Sequence, residues 1–151
     1  MKFEIPQPMK IEHDELHEML VAATKVGGEI GEAAKYVAKI LHPHFVNEEA
    51  YALPPLGLLQ DLASGKITSE MKEVLEMTEK LKSELPTMLE EHKTIVAALD
   101  KLIEVAKKEN KMECANFAEK LKLHAKTEEE LFYPTSILIG EYVKLKLSQK
   151  V

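Results

Sequence analysis

The chain has no arginine and no tryptophan, a single cysteine, and only 5% aromatic residues among its 151. Each shortage removes a class of function. Phosphate and base-edge recognition leans on the bidentate guanidinium fork, so a chain of formal charge -6 whose 20 basic residues are all lysine points away from nucleic acid. Cys114, alone, cannot form an intrachain disulfide or a Cys-x-x-Cys metal or redox site, which fits a reducing compartment. No window approaches the ~18 uncharged apolar residues of a membrane span, and the stretch Met1 to Pro8 has no apolar run that would serve as a signal-peptide core. These features predict a cytoplasmic protein without nucleic-acid or membrane partners.

What is abundant is apolar residue of helix-forming type. Hydrophobic residues make up 45% of the chain, mostly Leu, Ala, Ile, Val and Met, and the length suits one domain over residues 1–151. Helical spacing of Ile11, Leu16, Met19, Leu20 and Ala23 predicts a helix over 9–26, stopped by Gly27-Gly28. A second helix is expected over 29–52, closed by Pro54-Pro55 and Gly57, with Pro43 either kinking it or dividing it. A turn-rich loop over 53–67 precedes a third helix over 68–108, capped by Thr68 or Ser69 and bent or split at Pro86. After a break at Asn110, a fourth helix covers 112–132, and beyond Pro134 a final helix runs over 135–147. The predicted fold is all-α, an antiparallel up-down-up-down four-helix bundle with an additional C-terminal helix.

The most informative pattern is an internal repeat at an offset of 79 to 80 residues. Glu12-His13 is followed by Leu16 and Leu20, and Glu91-His92 by Ile95 and Leu99 at the same spacings. His44-x-x-x-Glu48-Glu49, with Pro54 ten residues after the His, matches His124-x-x-x-Glu128-Glu129 with Pro134. Residues four apart share a helix face, so each His-x-x-x-Glu pair aims an imidazole and a carboxylate at one point. With one His from each partner helix, His13, His44, Glu48, His92, His124 and Glu128 are expected to meet in the core. An isolated His-x-x-x-Glu pair is a common surface ion pair; the repetition is what distinguishes these two. Imidazole and carboxylate donors without thiolate suit iron, with manganese or zinc as substitutes, and two bridging carboxylates imply two metals.

Glu12-His13-Asp14-Glu15-Leu16, His44-Phe45-Val46-Asn47-Glu48-Glu49, Glu91-His92-Lys93 and the run His124 to Pro134 together resemble the hemerythrin-like family, the HHE cation-binding domains. The likeness extends over nearly the whole chain. It implies a non-heme diiron centre bridged by two carboxylates and an oxo or hydroxo oxygen, able to bind dioxygen or nitric oxide for storage, delivery or sensing rather than as an enzyme. The alternatives within the same resemblance are a diiron redox protein or iron donor in iron-sulfur repair or nitric oxide detoxification, and an iron sensor.

His17 separates these readings. It lies one turn beyond His13 and is a candidate fifth imidazole ligand, although its repeat partner is Val96. If two octahedral irons offer about 12 positions, five imidazoles leave one open place, suited to a single small molecule, and four leave two, suited to redox turnover or exchangeable water. His42 is expected at the surface, and Glu49 and Glu129 either beside the ligands or at the surface. The Glu-x-x-His spacing of ferritin-like carboxylate proteins is absent, as is His-Glu-x-x-His.

Overall fold

A computed structural model describes residues 3–149, all of it helix or connecting turn, without a strand among the described residues. Helix α1 spans Gln7–Thr24 and α2 spans Gly28–Asn47. Between them Gly27 and Gly28 have φ of 83° and 60°, a left-handed turn that glycine adopts without steric cost. A π-helical turn, Glu48–Ala52, prolongs α2, and a 3-10 turn, Pro54–Leu58, leads into the short α3, Leu59–Ala63. A second 3-10 turn, Ser69–Glu73, opens the long α4, Val74–Lys108. Asn110, with φ of 58°, breaks the chain before α5, Met112–Thr127. The π turn Glu128–Phe132 then joins α5 to α6, Tyr133–Ser148.

The architecture is therefore four long helical runs. The separate C-terminal helix expected after Pro134 is not present, because α5, the π turn and α6 form one run from Met112 to Ser148. Proline lacks the N–H that would bond back one turn, and its ring crowds the carbonyl four residues earlier. Widening the helix to i→i+5 bonding one turn before Pro134 relieves that crowding and keeps the helix going. The same device sits before Pro54, where Leu53 N–H reaches Glu48 O at 2.9 Å. Pro43 and Pro86 leave α2 and α4 undivided, since each removes one backbone bond from a helix held by packing along its length.

The expected loop over 53–67 is also largely helical. Leu53, Leu56 and Leu58 are buried there with Met71, Val74, Ile139 and Val143, so its apolar residues form a cluster rather than an open connection. Thr68 occupies the cap position of the turn that follows, in extended conformation, without a side-chain capping bond.

Helix α1 packs on α2 and α5, α2 on α4, and α4 on α5 and α6. The largest apolar cluster joins Leu16, Leu20, Ile30, Val37, Leu41, Ile95, Leu99, Leu102 and Leu121. A smaller one joins Tyr51, Leu81, Met88 and Tyr133. On α4, His92 lies between Met88 of the small cluster and Ile95 of the large one, so the polar residues sit in a gap between two dry regions. No described helix is long and apolar enough to cross a membrane.

Candidate metal centre

Six of the seven residues singled out in the sequence meet in that gap. His13, His44, Glu48, His92, His124 and Glu128 are all buried, each at 4% exposure or less. They form two groups, His44 with Glu48, His92 and Glu128, and His13 with His124 and Glu128, and Glu128 is common to both. His17 is not brought in: it is exposed on α1 and belongs to neither group.

The imidazoles approach in pairs through their Nε2 atoms, His44 to His92 at 2.8 Å and His13 to His124 at 3.0 Å. Their Nδ1 atoms are taken by carboxylates from neighbouring helices. His44 Nδ1 donates to Glu91 at 3.0 Å, His92 Nδ1 to Glu129 at 3.0 Å, and His124 Nδ1 to Glu12 at 2.5 Å. A carboxylate accepts only, so each of these rings carries its proton on Nδ1 and turns the bare Nε2 lone pair inward. His13 departs from the pattern: its Nδ1 has no hydrogen-bond partner and Glu49 stops 3.6 Å away.

Glu48 Oε1 lies 2.9 Å from His44 Nε2. Glu128 spans the two groups, with Oε1 at 3.4 Å from His92 and Oε2 at 3.3 Å from His124 and 3.5 Å from His13. Burial and the Glu48 charge push the Glu128 carboxyl well above the usual range. Burial works upward on Glu48 as well, but the Glu128 carboxyl and the His44 imidazole beside it hold it down to about 2. Burial lowers His13 and His92, whereas at His44 the bonds to Glu48 and Glu91 overcome burial and raise it.

At the His44–His92 pair two bare lone pairs face one another at 2.8 Å and repel unless something positive lies between them. Both Glu48 oxygens and Glu128 Oε2 are also buried without a hydrogen-bond partner. Orphaned acceptors of this kind are costly in a dry core, and a metal cation satisfies all of them at once. The residues present thus fit a metal site with nitrogen and oxygen donors and no sulfur.

Two features escaped sequence reasoning, the carboxylates behind the imidazoles and the Tyr133 hydroxyl. Glu12 and Glu91 hold imidazoles on the neighbouring helices, a role legible only in that each directly precedes a core His in the repeat. Tyr133 is fully buried with Oη 3.1 Å from His92 Nε2 and 3.3 Å from His44 Nε2. Nine residues is about two and a half α-helical turns, which would put Tyr133 opposite His124. The π turn inserts an extra residue and rotates it toward the centre. Phe45 stacks on His13 with ring centroids 4.4 Å apart, and Phe132 stands edge-on to His124 at 6.4 Å, so both wall the imidazoles from solvent. Glu49 and Glu129 lie beside the ligands, and His42 is exposed, as expected. No protein-family model, curated protein or solved structure matches the chain; the centre is read from its own donor atoms.

Proposed function

We propose that this chain is a hemerythrin-like, non-heme diiron protein, a four-helix bundle with long helices alternating in direction, that binds dioxygen or nitric oxide. His13, His44, Glu48, His92, His124 and Glu128 would hold the two irons, with Glu128 shared between them. The observation that carries the reading is that four buried imidazoles and two buried carboxylates gather into two adjoining groups of donor atoms that share Glu128. That donor set suits iron, and manganese or zinc would fit the same atoms. When bound, a diiron centre supplies electrons to a small diatomic ligand and takes them back.

The chain's own residues do the rest. Glu12, Glu91 and Glu129 keep a proton on Nδ1 of His124, His44 and His92, which fixes the rings and strengthens each Nε2 as a donor. Phe45 covers one face of the His13 ring, and Phe132 stands edge-on to His124. Tyr133 places its hydroxyl against His44 and His92, where it holds a proton at Oη inside the cavity wall.

The exposure of His17 favours a second reading. Four imidazoles rather than five leave two open positions, and that count suits a redox protein, iron donor or iron sensor better than a reversible carrier. Visible spectra of the iron-loaded protein, recorded anaerobically after reduction, then in air, then after removing oxygen, decide between them. A coloured species that comes and goes with oxygen supports the carrier. Irreversible oxidation supports the redox reading, and no response to oxygen or nitric oxide refutes both.

A further inference from the structure

His17 and His42 are exposed imidazoles that the buried centre does not use, and they share one surface pocket. It lies between α1 and α2, has a volume of about 220 Å³, and is lined among others by Lys10, Asp14, His17, His42 and Glu49. Its inner wall includes His13, a residue of the centre that is 2% exposed and whose Nδ1 has no hydrogen-bond partner. The pocket thus joins solvent to one imidazole of the buried cluster.

The internal repeat supplies a control within the same chain. A second pocket, of about 420 Å³, opens on His92 and is lined by Lys93, Val96, Asp100 and Glu129. In the repeat, His17 becomes Val96, Asp14 becomes Lys93, and His42 becomes Lys122. Lys122 pairs with Asp100 at 2.6 Å, and Glu129 is closed onto His92 at 3.0 Å. At the second mouth each carboxylate is thus tied to a neighbour, and no imidazole stands exposed. At the first, Lys10 binds both oxygens of Glu49 at 3.1 Å and holds that carboxylate away from His13. Lys10 is neutralised there and also lies 3.6 Å from the exposed Asp14, while His17 and His42 remain exposed as donors.

We infer that the α1/α2 pocket is a transit site for divalent cations, where His17, His42 and Asp14 capture an ion from solvent and pass it beneath Glu49 to His13. The site is transient by construction, because its exposed donors do not close on one point as the buried ones do. Donors at a mouth raise the local cation concentration and so act on rate, not on final affinity. The inference rests on the metal-centre reading, and its test separates the two.

The probe is Co(II) added to the full-length, metal-free protein, with uptake followed by stopped-flow visible absorption and endpoint stoichiometry by elemental analysis. The paired substitution His17→Ala with His42→Ala is expected to slow uptake about ten-fold and leave the stoichiometry unchanged. Val96→Ala with Asp100→Asn, at the other mouth, is expected to leave the rate at the wild-type value. An unchanged rate in the double-histidine variant overturns the inference. So does a lower endpoint, which would make His17 a ligand. Failure of the wild type to take up Co(II) would instead refute the metal centre itself.

Discussion

Replacing Glu128 by methionine is expected to stabilise the metal-free protein while abolishing its response to metal. Glu128 is buried with Oε2 unpartnered, faces the Glu48 carboxylate, and reaches its three imidazoles only at 3.3–3.5 Å. Glu48 keeps its approach to His44, at 2.9 Å, when Glu128 is removed. Methionine has similar length and no polar atom that needs a partner. Burying a polar group without a compensating hydrogen bond costs about 1–3 kcal/mol, and removing the unpartnered Oε2 should return about 1–2 kcal/mol of it. For a chain of this length each kcal/mol moves the midpoint by about 2–4 °C. Thermal unfolding followed by circular dichroism in excess chelator measures this directly. A second melt with Co(II) in hundred-fold excess over its dissociation constant should raise the wild type by about 2.7 kcal/mol and the variant by nothing. A variant that melts below the wild type in chelator, or that Co(II) stabilises equally, refutes the reasoning.

Tyr133→Phe removes a hydroxyl that stands against two imidazoles, so the visible spectrum of the iron-loaded protein should shift while stability falls by about 1 kcal/mol; an unchanged spectrum would mean that the hydroxyl does not face the metals. Gly140→Ala drives a methyl into the buried side chain of Thr78 on α4, and a loss of about 1–3 kcal/mol should appear as a lower denaturant midpoint. An unshifted midpoint would show that α6 slides freely on α4. Metal retention should fall with pH, because protons compete for the imidazole nitrogens. Burial lowers His13 and His92, so these rings resist protonation, and half-release to a coloured chelator should come below the ordinary histidine value of about 6.5. Release that increases as pH rises from 6 to 8 would contradict the assignment.

The site was more legible in the sequence than its surroundings were. Paired His-x-x-x-Glu spacings carry their meaning in helix periodicity, which needs no tertiary information beyond the helices themselves, and the structure brings those four residues together with His13 and His92. His17 obeyed the same four-residue spacing from His13 and is exposed, lining a surface pocket, because spacing alone does not say which of two residues on one helix face is covered by a neighbouring helix. Prolines misled in a consistent direction. Pro134 marked the end of a helix by local rules, whereas the π turn before it lets the run continue to Ser148 and turns Tyr133 inward. The stretch around Pro54 and Gly57 read as a loop from its turn residues, but Leu53, Leu56 and Leu58 have α4 and α6 to pack against. Glu12 and Glu91 were visible as part of a repeated pair; their bonds cross to other helices, and spacing within one helix says nothing of those.

The central claim is that the buried cluster is a two-metal site. Its most direct test is elemental analysis of the protein after anaerobic reconstitution with Fe(II) and removal of free metal, for the wild type beside His44→Ala and His124→Ala. The account predicts two irons per chain in the wild type and a sharp loss in both variants, one from each group of ligands. A folded wild type that retains no iron, or variants that retain the full two, would contradict it.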